Sequence, residues 1–304
     1  MKIFLFSLLW TAFLQNTAVL EAKILRVVTT TEDLAAITKA IGGGRVQVDS
    51  IAKGMQDPHF IDAKPSYMLK LAQADLFVQV GLGLEIGWVP SLLTGARNPK
   101  IQSGGAGYVD ASQKIALLEI PSGKVDRSAG DVHAEGNPHY WLDPMNGKQI
   151  AENIAAGLIR IDPEGKTIYE AHLSAFSDKL DAEIKKWTET MLPFKGTNVV
   201  TYHNSWPYFI KRFDLNVVDY VEPKPGIPPS PAHVEQLIRR IQNVGVTLIL
   251  LEPYFDGRTP QFIAKSSGAR VVPLPPSVST GTGIEDYFQL FDHLINTLSD
   301  ALKR

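Results

Sequence analysis

The sequence contains no cysteine. That absence removes structural disulfides, thiolate zinc clusters, iron–sulfur centres and cysteine nucleophiles together. Any metal must then be held by His, Asp, Glu or water. An excess of charge of one sign is missing too: 30 Lys and Arg stand against 32 Asp and Glu, a formal net charge of -2. A chain so balanced has no electrostatic footprint for nucleic acid, and none is expected as a partner. What is there is ordinary. With 44% hydrophobic and 20% charged residues over 304 positions, the chain is neither disordered nor fibrous. At roughly 150 residues per domain, its length allows about two domains with their own cores.

Residues 1–22 read as a cleavable export signal. Lys2 is a short positive n-region, and Ile3 to Leu14 form an apolar run broken only by Ser7 and Thr11. The run is about twelve residues, where a hydrocarbon core needs roughly twenty. The small residues around Ala18 to Ala22 suit cleavage after Ala22. No cysteine follows, so a lipid anchor through cysteine is not expected. The expectation is a secreted protein without lipid anchor, periplasmic in a Gram-negative source.

From Lys23 onward short apolar runs alternate with amphipathic stretches. Ile24–Thr29, Val46–Ile51 and Leu76–Val80 read as strands, Glu32–Ile41 and Ser66–Ala74 as helices. Ser122–Gly136 reads as an exposed loop, and Asn146–Arg160 as a helix ended by Asp162-Pro163. Tyr169, Leu173, Phe176, Leu180, Ile184, Trp187 and Met191 then repeat every three or four residues, the apolar stripe of one long helix. The alternation restarts with strands at Val199–Thr201, Val217–Val221, Val246–Leu251 and Arg270–Leu274. Helices at Ala232–Gln242, Pro260–Ser267 and Ile284–Leu302 accompany them. Strands alternating with helices predict parallel α/β sheets. The predicted architecture is an α/β lobe over 23–163, a linking helix over 164–192 and a second α/β lobe over 193–304, with no repeat visible in the sequence.

Three histidines stand in similar settings. His59 lies in Gln-Asp-Pro-His-Phe, His139 in Asn-Pro-His-Tyr-Trp and His203 in Thr-Tyr-His-Asn-Ser-Trp. His59 and His203 follow predicted strands, one in each half, where open α/β sheets bind ligands. Three imidazoles suit zinc. A histidine in a loop is nevertheless more often solvated than ligating, and separations of 80 and 64 residues lack the information of a local H-x-x-x-H motif.

Longer segments carry more. Gly54-Met55-Gln56-Asp57-Pro58-His59-Phe60, with Lys64-Pro65-Ser66 and Ala72-Gln73-Ala74-Asp75-Leu76, resembles the first-ligand segment of the zinc and manganese receptors of bacterial ABC importers. Asn137 to Pro144 is similar to their second-ligand segment, and Tyr202 to Phe209 to their third. Glu222-Pro223, Pro229-Ser230-Pro231, Leu250-Leu251-Glu252-Pro253 and Ser267-Gly268-Ala269 follow in order. The resemblance covers essentially all of the chain after residue 22. It implies two lobes joined by a rigid long helix, with a metal between them held by His59, His139 and His203. It further implies a monomeric receptor, not an enzyme, that delivers its cargo to an ABC permease. A histidine at the third position resembles the zinc receptors, and imidazole favours Zn2+ where carboxylate favours Mn2+. Zn2+ is therefore the expected cargo, with Mn2+ or Fe2+ as the alternative.

Two positions depart from the family pattern. Asn137 stands where an aspartate is usual, and Pro275, in Val-Val-Pro-Leu-Pro-Pro-Ser, stands where the fourth ligand, an aspartate, is expected. Glu252, at the end of the VTLILL strand, is the candidate replacement, with Asp286 or water as alternatives. Zinc receptors carry a longer His-rich loop, thought to help capture metal, where this chain has His133 among Asp126, Asp131 and Glu135. So short a version reads as a solvated loop, and His172, His233 and His293 read as solvated or capping residues of helices. A secreted zinc hydrolase would also need three histidines, but it would add a local general base, and no H-E-x-x-H occurs. An adhesin built on the same receptor fold is a further possibility.

Overall fold

The run LRVVT at Leu25–Thr29 forms β1, buried at all but one position because helices cover both faces of the sheet it centres. In the computed structural model, which describes residues 23–123, 130 and 133–303, β1 pairs in parallel with β2 (Val46–Ser50) and β3 (Leu76–Gln79). β3 pairs in turn with β4 (Tyr108–Asp110), giving the order β2-β1-β3-β4. The second lobe repeats the plan. β5 (Asn198–Thr201) lies between β6 (Asn216–Tyr220) and β7 (Leu248–Leu251), with β8 (Arg270–Pro273) outside β7. The order β6-β5-β7-β8, again all parallel, matches the first sheet strand for strand. The repeat that the sequence hides is thus present in the topology. The export-signal reading of residues 1–22 and most of the predicted loop's acidic residues lie outside the described residues.

Helices begin where the sequence supplies caps. Thr31 caps α1 (Glu32–Gly42), Asp143 caps α4 (Pro144–Ile161) and Ser230 caps α7 (Pro231–Val244), each accepting a backbone N–H of the first turn. Proline at the first turn pre-sets α2 (Pro65–Ala72), α4, α6 (Pro207–Phe213) and α7. α8 (Arg258–Ser267) ends at Gly268 in the left-handed region. The sequence did not announce β4, α3 (Val89–Ala96) or α6, which are only three, eight and seven residues long. Runs that short carry less than the window a period needs. The last helix, α9 (Tyr287–Leu302), starts later than expected because Asp286 caps it, accepting from Gln289 N at 2.8 Å. Asp286 is thereby committed to the helix end.

α5 (Lys166–Met191) is the long helix, about 39 Å at 1.5 Å per residue. Tyr169, Phe176, Leu180, Trp187 and Met191 of its predicted stripe are buried, and Leu173 and Ile184 pack against them. α9 returns along it. Trp187 stacks on Phe291 at 5.1 Å and donates to Asp292 Oδ1 at 2.8 Å, while Phe176 meets Phe288 at 5.2 Å. One apolar core runs from Leu25 and Val78 in the first lobe, past α5, to Val199 and Leu250 in the second.

The lobes also meet at the start of α1. Glu32 Oε2 accepts from Gly54 N (2.9 Å) and Thr280 N (3.2 Å). Asp33 accepts from Val278 N (2.9 Å) and the Ser277 hydroxyl. Burial pushes the Asp33 carboxyl up to about 7. Gly54 lies so close to this loop that a Cβ on it would stand 2.0 Å from Val278 O and 2.7 Å from Ser279 Cα. Gly54→Ala should therefore push the loops apart at an overpacking cost of about 1–3 kcal/mol. At roughly 2–4 °C per kcal/mol for a chain of this size, thermal unfolding should come several degrees earlier. An unchanged midpoint would show that the 277–280 loop yields freely.

Candidate metal centre

Both sheets aim the carboxyl ends of their strands at the cleft, and each lobe supplies histidine there. His203 lies two residues beyond β5, where Thr201 Oγ1 donates to His203 O at 2.8 Å. Thr29 Oγ1 bonds Thr31 O at the same distance in the first lobe, so the two strand ends turn alike. His59 lies on the loop after β2, and His139 opens a single 3-10 turn at Tyr140–Leu142.

The two histidines of the first lobe are set by one local device. In Asp57-Pro58-His59, Asp57 Oδ1 accepts from both His59 N (3.0 Å) and His59 Nδ1 (2.7 Å). In Asn137-Pro138-His139, Asn137 Oδ1 does the same for His139, at 3.0 Å to each nitrogen. The proline restricts the residue before it to extended backbone, and the Asx oxygen then folds the histidine back over it. His203 takes its partner from a distance: Glu222 Oε2 lies 2.8 Å from its Nδ1. Each Nδ1 proton is thus taken up by an oxygen acceptor, which leaves each Nε2 lone pair free to bind.

The rings converge. Their centroids lie 5.2 Å apart for His59–His139 and His59–His203, and 5.6 Å for His139–His203. One ligand atom from each falls within 4.8 Å of the others. All three are buried, and Nε2 of His59 and of His139 has no hydrogen-bond partner. Buried unpartnered nitrogens cost about 1–3 kcal/mol each unless something binds them. Three converging nitrogen donors fit a borderline-soft divalent cation. Trp141 at 5.3 Å from His139 and Phe255 at 5.8 Å from His203 wall the cluster with aromatic surface.

Electrostatics divides the histidines. Burial holds His139 well below the usual imidazole range, with the other histidines adding to it. Burial would lower His203 as well, but the Glu222 hydrogen bond, helped by the nearby Glu252 charge, raises it above its ordinary value. Asp57 feels burial most strongly, yet its hydrogen bonds with His59 hold it below the usual carboxylate range. Glu252 is fully buried, and burial pushes it up to about 7. Its Oε1 accepts from Trp206 Nε1 at 2.9 Å, and its Oε2 has no partner. Glu252 stands outside the tight group of ligand atoms, near enough to feel the charge of His203.

The remaining candidates separate. Asp286 caps α9. His172 Nδ1 pairs with Ile41 O at 2.9 Å, and His233 Nε2 with Tyr220 O at 3.0 Å. His133 is the correction. Far from being a solvated loop residue, it stacks 5.4 Å from His59, and burial lowers it to about 4. It lines a cleft of about 310 Å³ together with Glu119, Asn137, His139, His203, Asn204 and Pro225. Sequence reading also missed the groups that tie the ligand segments together. Glu119 Oε2 accepts from Asn137 Nδ2 (3.0 Å) and Asn204 Nδ2 (2.7 Å), while Tyr208 OH donates to Asn137 O (2.8 Å). An aspartate at 137 could not donate to Glu119, so the amide is what lets this position serve both His139 and the second lobe. The repeated Asx-Pro-His was the available signal for Asp57 and Asn137. Glu222 stands in a segment that resembles the receptor family but carries no sign of this role, and Glu119 had no signal, being brought in by the fold.

The family of the periplasmic component A of zinc-uptake complexes, ZnuA, matches residues 27–301. The manganese ABC transporter substrate-binding lipoprotein PsaA of Streptococcus pneumoniae is 28% identical over 292 residues, 92% of this chain and 89% of that protein. The high-affinity zinc uptake system protein ZnuA of Brucella suis is 31% identical over 167 residues, 55% of this chain and 50% of that protein. A crystal structure of ZnuA superposes with a TM-score of 0.77 at 26% identity, covering 92% of this chain and 99% of the other. The matched span takes in both sheets, the long helix and the three converging histidines, and the chain belongs to the ZnuA family of metal-binding receptors of ABC importers.

Proposed function

We propose that this protein captures Zn2+ outside the cytoplasm and hands it, as a monomer, to an ABC permease. His59, His139 and His203 are the ligands. The observation that carries the reading is a buried cluster of three imidazoles with, among the described residues, no carboxylate oxygen inside it. Nitrogen donors favour Zn2+, and oxygen donors would favour Mn2+. The charge of the ion is offset one step away. Asp57 sits behind His59 and Glu222 behind His203, with the Glu252 charge also near His203. Ion and ligands are neutralised without a hard oxygen touching the metal.

The manganese reading has support of its own, since PsaA, named for manganese, aligns over nearly the whole chain. Competition separates the two. Stripped protein titrated with Zn2+ and Mn2+ against a chromophoric chelator should prefer Zn2+ by at least about a hundredfold, roughly 3 kcal/mol. Equal affinity, or a preference for Mn2+, would overturn the zinc assignment. Hydrolysis of model esters or phosphates by the loaded protein would point to the hydrolase instead.

A further inference from the structure

Two of the three rings have a carboxylate directly behind them, and the third does not. Asp57 accepts from His59 Nδ1 and Glu222 from His203 Nδ1, whereas His139 Nδ1 meets the neutral Asn137 Oδ1 at 3.0 Å. The orientation of that amide is fixed from both ends. His139 N can only donate, and it points at Oδ1 (3.0 Å). Asn204 O can only accept, and Asn137 Nδ2 points at it (2.9 Å). The other Nδ2 proton goes to Glu119 Oε2 at 3.0 Å. A continuous chain of hydrogen bonds therefore runs from Glu119 through the Asn137 amide to His139 Nδ1.

The backbone around Glu119 is tied down. Its φ of 55° lies in the left-handed region, which a glutamate adopts only where its surroundings impose it. Beside it, Leu118 O accepts from Asn137 N (2.9 Å) and Leu118 N donates to Tyr208 OH (3.0 Å), which itself donates to Asn137 O. Glu119 Oε2 also accepts from Asn204 Nδ2 at 2.7 Å, one residue beyond His203. The placement has an energetic reason. Asn137 is 7% exposed and His139 2%, so a charge set directly behind His139 would have to be buried. Glu119 lies exposed at the cleft, where its charge stays solvated, and a polarised amide carries part of its influence inward.

We propose that Glu119 is the remote carboxylate of His139. Through the Asn137 amide it sets the tautomer and basicity of that ring, and through Asn204 it holds the His203 segment of the second lobe in register with it. Glu119 is a positioning residue and touches no metal. Each imidazole of the cluster then has its own carboxylate, two by direct contact and one by relay. Asn137 is matched to Glu119, since an aspartate there would set two carboxylates against each other.

The inference rests on the zinc reading, and the test keeps the two apart. Glu119→Gln keeps an oxygen for both amides and removes the charge. In the metal-free protein it should weaken the His139 Nδ1–H hydrogen bond, moving that proton upfield in the NMR spectrum while the His59 proton stays in place. Zn2+ affinity should fall about tenfold, and that of Asn137→Asp about a hundredfold. Asn137→Asp combined with Glu119→Gln should regain about tenfold over Asn137→Asp alone, because glutamine can donate to the new carboxylate. An unmoved His139 proton, wild-type affinity in Glu119→Gln, or simply additive losses in the double variant would overturn the relay. A loss in Glu119→Gln that vanishes at high salt, with the His139 proton unmoved, would mean general attraction of cations to the cleft and overturn it too. Zn2+ that leaves all three rings of the wild type unshifted would overturn the metal reading instead, while the metal-free proton shift would still support the relay.

Discussion

His139→Ala should weaken Zn2+ binding by about a thousandfold and leave the fold standing. A structural zinc site holds its ion with roughly 10–16 kcal/mol, so losing one of its donors costs about 4 kcal/mol, or three decades in affinity. The fold survives because the imidazole contributes little to it. His139 is buried with an unpartnered Nε2, and the metal-free protein carries the cost of that nitrogen without return. The alanine variant should thus unfold at the wild-type temperature or slightly above when free of metal. The thermal gain on adding zinc, which grows as RT ln(1 + [L]/Kd), should collapse. His59→Ala and His203→Ala should behave alike. Glu252→Gln should lose only about tenfold, as expected for a charge beyond the coordinating atoms. Three alanine variants with wild-type affinity would remove the cluster from consideration.

Acidity should act on the loaded and the metal-free protein with opposite signs. Metal binding needs neutral imidazole, and His203, raised above its ordinary value by Glu222 and Glu252 against the pull of burial, is the ring that takes a proton early. Below that point its protonation alone removes about a decade of zinc affinity per pH unit. His139 and His133, held low by burial, add nothing until the solution is much more acidic. The metal-free fold responds the other way. Burial raises Asp33, Glu85 and Glu252 to about 7, above their unfolded values. Their contribution to stability is therefore complete below about pH 4 and is lost as pH rises through 7. The low histidines oppose this only below their ordinary value of about 6.5. Between pH 8 and 6 the metal-free midpoint should rise while the zinc-induced gain shrinks. Calorimetric scans with and without zinc would show both, and parallel curves would contradict them. Glu222→Gln should move the loss of affinity to lower pH, since it removes the bond that favours the charged His203.

How much of this could be read in advance depended on how local each cause is. Strands such as Leu248–Leu251 and the stripe of Tyr169 to Met191 were legible because burial writes a period into the sequence. The three converging histidines were legible as a set because each sits in a run of distinctive neighbours. The start of α9 was misplaced by three residues, because the Asp286 side chain and not the apolar pattern decides it. Glu222 reaches His203 from nineteen residues away, and the His133 ring packs 5.4 Å from that of His59 from a distant loop. Such contacts depend on which strand ends lie side by side, and no window of sequence contains that. The matching strand orders of the two sheets are of the same kind. Position in the fold repeats where residue identity does not.

The single core that passes from one lobe through α5 to the other has a kinetic consequence. To swing the lobes apart, Trp187 would have to leave Phe291 and Asp292, and Phe176 would have to leave Phe288. Exposing aromatic surface of that extent costs several kcal/mol at about 25 cal/mol per Å². Under the proposed three-histidine binding, the ion gains no cheap escape from the whole molecule breathing, and its dwell time is set by breaking bonds to imidazole one at a time. A receptor made this way behaves as a stiff clamp. Unloading it is work for the transporter that receives it.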